Sequence, residues 1–164
     1  MTDAIFPGSF DPITNGHLDV LKKAATLFDH VYLVVMTNTH KKYLFTANER
    51  LVLAQDALKG LTNVTAVSRP DALTIDVAHE LNAKAMIRGV RNSQDFLYEQ
   101  QIAGLNNQLA PDVQTILLFT NPENSQIASS MVKEVAKFGG EIAQFLPAKA
   151  AAALTAKLRQ KDGK

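Results

Sequence analysis

Phe6-Pro7-Gly8-Ser9-Phe10-Asp11-Pro12-Ile13-Thr14-Asn15-Gly16-His17 is the stretch on which the fold turns. It follows a short apolar run, Ala4 to Phe6, and precedes a segment in which Leu18, Leu21, Ala25 and Phe28 share one helical face. A strand, a tight turn and a helix are expected in that order. Taken singly, the residues are turn formers: Asp11-Pro12 favours a turn, and Asn15-Gly16 fits an ordinary loop. Taken together they make an anion site. Gly8 lets backbone approach a ligand, Ser9 offers a hydroxyl, and His17 stands at a helix start, where unpaired N–H groups attract negative charge.

Outward from this turn the same unit repeats. Val31 to Met36, Val64 to Val67, Ala85 to Ile87 and Thr115 to Phe119 are short β-rich runs that read as buried parallel strands. Between them lie stretches of helical period. Ala47, Leu51, Ala54 and Leu58 form one apolar face behind a capping box of Thr46 and Glu49. Leu73 followed by Thr74 offers an N-cap. Phe96, Ile102, Leu105 and Leu109 predict a longer helix stopped by Pro111. A helix starting near Ser129 or Ser130 closes at Gly139-Gly140, and Pro147 opens a final Ala-rich helix carrying Leu154 and Leu158.

Such β-α alternation predicts a single α/β domain over 1–164: a doubly wound, five-stranded parallel sheet with helices on both faces and right-handed crossovers, its C-terminal helix beginning at about 147. Ligands of such sheets bind beyond the carboxyl ends of the strands where strand order reverses, so residues after the first, fourth and fifth strands become candidates.

Composition narrows the chemistry. At 164 residues, 46% hydrophobic and 20% charged, the chain is sized for one core. Its 17 Lys and Arg against 16 Asp and Glu supply no basic field for tracking a nucleic-acid backbone. The absence of Cys removes disulfides, thiolate metal sites and thiol nucleophiles. His30, His40 and His79 lack partners at metal-ligand spacing, so no protein metal cage is expected. The N-terminus has no basic stretch followed by an apolar run, and no apolar run nears the ~20 residues that span a bilayer. No nucleic-acid or membrane partner is expected, and the location expected is cytoplasmic.

Two further blocks carry donors. Ile87-Arg88-Gly89-Val90-Arg91-Asn92-Ser93 follows the fourth strand, with Asp95-Phe96 and Tyr98-Glu99 after it; Arg88 and Arg91 can present planar forks to phosphate oxygens beside a flexible Gly89. Ile127-Ala128-Ser129-Ser130-Met131-Val132-Lys133-Glu134 places two hydroxyls at a fresh helix N-terminus, either as an anion site or as a plain cap.

The Gly-Ser-Phe-Asp-Pro stretch with Thr14-Asn15-Gly16-His17 resembles the T/H-x-G-H signature of the nucleotidyltransferase superfamily. With the Arg88 and Ser129 blocks, the chain from Ala4 to about Leu158 is similar to the phosphopantetheine adenylyltransferase family. It departs from that family at Ala128, where a serine is usual, and at Asn124, where some relatives carry an aromatic residue.

The resemblance implies a Rossmann-like fold and transfer of the adenylyl group of ATP to 4'-phosphopantetheine, giving dephospho-coenzyme A and pyrophosphate. It implies Mg²⁺, a homohexamer, and feedback inhibition by coenzyme A. It assigns His17, Lys41 and Arg91 to catalysis, choosing Lys41 over Lys42 by alignment. ATP would meet Gly8, Ser9, Phe10, His17, Gly89, Arg91, Glu99, Ser129 and Ser130. Phosphopantetheine would meet Ser9, Lys41, Leu73, Thr74, Arg88, Tyr98, Asn106 and Glu134, of which Leu73, Tyr98 and the helix containing Asn106 also fit a packed core. A direct displacement is expected, since no residue of the set is placed like a covalent nucleophile. Competing readings are a nucleotidyltransferase acting on nicotinate mononucleotide, or on glycerol phosphate with CTP, and a nucleotide-sensing module without turnover.

Overall fold

The computed structural model describes residues 2–162; residues 1, 163 and 164 of the expected domain lie outside the described residues. The chain runs β1 (Asp3–Gly8), α1 (Asn15–Leu27), β2 (His30–Val35), α2 (Ala47–Ala57), β3 (Val64–Ser68), α3 (Thr74–Glu80), β4 (Ala85–Val90), α4 (Ser93–Leu109) and β5 (Gln114–Phe119). A short 3-10 turn at Pro122–Asn124, α5 (Ser129–Lys137) and α6 (Ala148–Asp162) follow. The five strands form one parallel sheet in the order β3-β2-β1-β4-β5. Among the described residues no helix is long and apolar enough to cross a membrane.

Strand residues alternate between two cores, as the two-residue period of a strand requires. Ala4 and Phe6 of β1, Leu33 and Val35 of β2, and Ile87 of β4 face a cluster shared with α1, α2, α5 and α6. Ile5, Val34 and Met86 face the opposite cluster, built with α3 and with Ala110 just past α4. Each fully buried Leu or Ile, such as Leu21, Leu33, Ile87 and Leu154, stabilises the fold by about 2 kcal/mol.

The order of strands reverses between β1 and β4. From β1 the chain steps outward through β2 and β3, then returns across the sheet to lay β4 on the other side of β1. The β1–β2 ladder runs the full strand, from Asp3↔His30 to Gly8↔Val35. The β1–β4 ladder contains only Ala4↔Ala85 and Ile5↔Met86. Past those pairs the two central strands part, and a cleft opens between their carboxyl ends.

The elements depart from the sequence expectations in three places. First, β1 continues through Pro7 and Gly8, and β4 through Arg88, Gly89 and Val90, because these residues keep parallel partners in Val34 and Val35 and in Leu117 to Phe119. Arg88 and Gly89 therefore sit on a paired strand and not in a flexible loop. Second, Leu73 occupies the extended N-cap position of α3 and makes no side-chain cap; Thr74 is already helical, and its hydroxyl turns to Met36 Sδ at 3.7 Å. Third, α4 forms as a long helix, yet of its residues only Glu99 is buried. Tyr98 and Leu73 are 61% and 56% exposed, outside the core that also accommodated them in sequence, and Leu97, Leu105 and Leu109 are equally open. A periodic apolar stripe specifies that one face needs cover, not which surface provides it.

Candidate functional site

The Gly-Pro-rich turn folds as a helix entry. Thr14 is the N-cap of α1, with extended backbone, and Asn15 and Gly16 are its first two helical residues. His17 occupies the third helical position and completes a capping box in which its own ring replaces the usual Glu or Gln. The Thr14 N–H donates to His17 Nδ1 at 3.0 Å, and the His17 N–H donates to Thr14 Oγ1 at 3.3 Å.

That first bond decides the tautomer. Nδ1 is occupied as an acceptor, so the neutral ring carries its proton on Nε2. The ring of Phe10 stands 4.9 Å from that of His17 at 77°, and Phe6 packs edgewise on Phe10 at 5.5 Å. Burial against these rings, then the nearby Arg91 charge, lowers the His17 pKa from the ordinary 6.5 to about 4. His17 is a neutral N–H donor at physiological pH. Phe10 holds its place with a left-handed backbone, φ 48°, a conformation costing a non-glycine residue about 1 kcal/mol.

Two glycines permit close approach here. A Cβ on Gly8 would lie 2.9 Å from the Phe10 ring, and one on Gly89 would lie 3.1 Å from Val20 of α1. Glycine at these positions seats the Phe10 wall and lets α1 rest against β4 at Val20.

The parted strands leave a cleft of about 330 Å³. Of the residues singled out in sequence, Gly8, Phe10, His17, Lys41, Arg88, Gly89, Arg91, Tyr98, Glu99 and Ser129 line it. Five elements and the loop after β2 thus converge on one space at the switch point. Ser9 lies just beside it, its hydroxyl 3.3 Å from Tyr43 Oη. Leu73, Thr74 and Asn106 do not line it; Asn106 Nδ2 reaches Met86 Sδ at 3.5 Å on the opposite core. Ser130 and Glu134 are exposed on α5 outside the cleft. Asn124 and the backbone of Ile127 abut Gly16 from the 3-10 turn.

Both arginine forks are held by carboxylates. Arg88 donates from Nε and Nη2 to Glu99 at 2.7 and 2.8 Å, and from Nη1 to the Pro7 carbonyl at 3.0 Å, a carbonyl on the β1 segment that has parted from β4. Arg91 donates from Nε to Asp95 at 2.8 Å and reaches the Ile127 carbonyl at 3.3 Å. Hydrogen bonding to Arg91 holds the Asp95 carboxyl below the usual carboxylate range. Lys41, Arg88 and Arg91 against Asp95 and Glu99 leave the lining one charge positive.

Two features that sequence reading missed fix the third wall. Asp11, 4% exposed, accepts from the Leu44 and Phe45 N–H groups, each at 2.9 Å, and from Lys133 Nζ at 2.8 Å. Ser129 Oγ donates to the Pro12 carbonyl at 2.9 Å. These bonds dock the start of α5 beside the start of α1. Ala128, the residue that departs from the family pattern, is the N-cap of α5 and makes no side-chain cap, so the first N–H groups of that helix stay open to an anion. The only advance signal was the Gly-Ser-Phe-Asp-Pro pattern itself, in which Asp11 passes for a turn residue.

Comparison with known proteins gives a consistent result. Residues 5–135 match the model of the cytidylyltransferase-like family. A phosphopantetheine adenylyltransferase of Lactobacillus helveticus is 63% identical over 158 residues, covering 96% of either chain. One from Lactobacillus acidophilus is 61% identical over 159 residues, covering 97% of this chain and 99% of its own. The solved structure of a putative nicotinate-nucleotide adenylyltransferase from Vibrio parahaemolyticus shares the fold, with a TM-score of 0.75 at 17% identity over 98% of this chain and 97% of that one. By family match and by identity across almost its whole length, the chain belongs to the cytidylyltransferase-like family and, within it, to the phosphopantetheine adenylyltransferases.

Proposed function

We propose that the chain transfers the adenylyl group of ATP to 4'-phosphopantetheine, releasing pyrophosphate and forming dephospho-coenzyme A. The observation that carries this reading is the convergence of the His17 turn, the Arg88 to Arg91 segment and the α5 N-terminus on one cleft at the switch point of the sheet. In this reading ATP lies along Gly8, Ser9, Phe10, His17, Gly89, Arg91, Glu99, Ser129 and Ser130. The acceptor phosphate lies against Ser9, Lys41 and Arg88, and its pantetheine arm runs toward Leu73, Thr74, Tyr98, Asn106 and Glu134.

An oxygen of the acceptor phosphate attacks the α-phosphorus of ATP in line. The new P–O bond forms as the bond to the bridging α,β-oxygen breaks, and pyrophosphate carries away the electron pair. The nucleophile is already an anion, so the site has no need of a strong base, and catalysis reduces to alignment and charge stabilisation. The low basicity and fixed tautomer of His17 suit this: its Nε2–H donates to the oxygens that gain charge, without first losing a proton. Arg91, Lys41 and the N–H groups at the start of α5 share the rest.

Mg²⁺ enters in this reading with the nucleotide, as the phosphate complex that is the substrate. Among the described residues no three His, Asp or Glu side chains gather at metal-binding distance, and the cleft carboxylates Asp95 and Glu99 are bonded to arginines. A homohexamer would cover the apolar surface of α4, where Phe96, Leu97, Leu105 and Leu109 lie open. Coenzyme A, which contains the product, would inhibit by occupying the same cleft. The reading includes a cytoplasmic location, where ATP is drawn.

The test is pyrophosphate release from ATP with a panel of acceptors. Release with 4'-phosphopantetheine, and none with pantetheine or nicotinate mononucleotide, is the expected result. Release with nicotinate mononucleotide alone, or nucleotide binding without release with any acceptor, would overturn the proposal.

A further inference from the structure

Arg50 lies in the first turn of α2, 1% exposed, and does not line the cleft. Its Nη1 donates to the Ser9 carbonyl at 2.7 Å and to the Met36 carbonyl at 2.8 Å, and its Nη2 donates to Thr37 Oγ1 at 3.1 Å. One guanidinium thus ties the segment leaving β1 to the segment leaving β2. Its guanidinium carbon lies over the ring of Tyr43, 4.1 Å from the ring centroid. Tyr43 Oη in turn accepts the Asn38 N–H at 2.6 Å and stands 3.3 Å from Ser9 Oγ. Asn38 anchors the turn that follows: its Oδ1 accepts from the His40 N–H at 2.9 Å and its carbonyl from the Lys41 N–H at 3.0 Å. At the end of this chain of bonds stands Lys41, exposed and lining the cleft.

Stability does not account for an arginine here. Among the described residues no carboxylate lies within ion-pairing distance of Arg50; its partners are carbonyls, a hydroxyl and an aromatic face, and its buried Nε has none. A cation buried without a counter-charge is a poorer stabiliser than an apolar side chain of its size. What only arginine supplies is a rigid fork that donates to two backbone segments while lying over a ring.

We propose that Arg50 is a positioning residue for Lys41, acting through Tyr43 and the Asn38 turn to hold the lysine against the acceptor phosphate. The proposal rests on the adenylyl-transfer reading. Lysine at position 50 keeps the charge and loses the fork and the stacking face.

A double-mutant cycle on purified full-length protein tests it, with kcat and KM measured for both substrates. Arg50→Lys is expected to lower kcat/KM for 4'-phosphopantetheine by ~10- to 100-fold, with KM for ATP moving less than ~3-fold. In a Lys41→Ala background the same substitution is expected to cost less than ~3-fold, because the lysine it positions is gone. Should Arg50→Lys fail to fold, Tyr43→Phe, which removes a single hydroxyl, carries the same expectation of non-additivity. Losses that multiply in full across the two backgrounds would overturn the role, as would full activity in Arg50→Lys or in Lys41→Ala. No turnover in the parent chain would sink the adenylyl-transfer reading and this role together; a parent that turns over, with multiplicative losses, sinks only the role of Arg50.

Discussion

Lowering the pH should destabilise this protein through His17, by an amount the site allows to be worked out. The unfolded chain binds a proton at this histidine below about 6.5, whereas the folded one resists until about 4. Between those values the unfolded state holds more protons, so stability is complete above 6.5 and falls as the pH drops through the window. At ~1.4 kcal/mol per pH unit the whole shift is worth about 3 kcal/mol, of which about 2 is lost between pH 7 and pH 5. The ring borders an open cleft, and water there relieves part of the penalty, which sets the expected loss at about 1 to 2 kcal/mol. Urea unfolding of the parent and of His17→Gln at pH 7 and pH 5 isolates the term. Glutamine can still receive the Thr14 N–H but does not titrate, and the other histidines are common to both proteins. The parent is expected to lose more stability than the variant by that amount, and the His17 ring is expected to show the Nε2–H tautomer by ¹⁵N NMR, with a midpoint well below 6.5. Identical pH dependence in the two proteins, or a midpoint near 6.5, would refute the account of a desolvated, neutral ring.

Other outcomes follow from the same contacts. His17→Ala should lower kcat for adenylyl transfer by at least ~10²-fold, the scale for losing one transition-state donor, with far smaller changes in KM; stopped assays of pyrophosphate release at saturating substrates read this directly. Asp11→Ala strands the Leu44 and Phe45 N–H groups and Lys133, and should cost about 3 kcal/mol, seen as a fall of about 8 °C in thermal midpoint. Glu99→Gln removes the charged partner of Arg88 and should cost about 2 kcal/mol in urea unfolding. Because Glu99 aims Arg88, the same variant should also raise KM for the acceptor, read from initial rates at saturating ATP.

The layout was legible in sequence because two hydrophobic periods alternate along the chain, and because Gly8 falls where the first strand gives way to a ligand-facing turn. The candidate site followed from the rule that parallel sheets bind at their carboxyl edge. What sequence did not disclose was pairing. His17 completes a capping box, but Thr-x-x-His does not carry the Glu or Gln that marks one, whereas Thr46 and Glu49 do. Asp95 and Glu99 were visible as charges, yet that they engage the arginine forks depends on a helix that turns back over its own strand. Arg50 gave no signal at all, since its partners lie up to 41 residues away. The stripe on α4 was read as a helix correctly, while its exposure depends on neighbours that periodicity does not identify.

The parting of β1 from β4 also bears on the order in which the molecule becomes competent. The contacts that close the cleft join residues far apart along the chain: Arg88 to Pro7 across 81 positions, Ser129 to Pro12 across 117, and Lys133 to Asp11 across 122. Such closures come late, because each requires a long intervening segment to be ordered first. During synthesis a nascent chain can therefore complete all five strands and still lack a grip on nucleotide, until residue 133 has left the ribosome and α5 has docked.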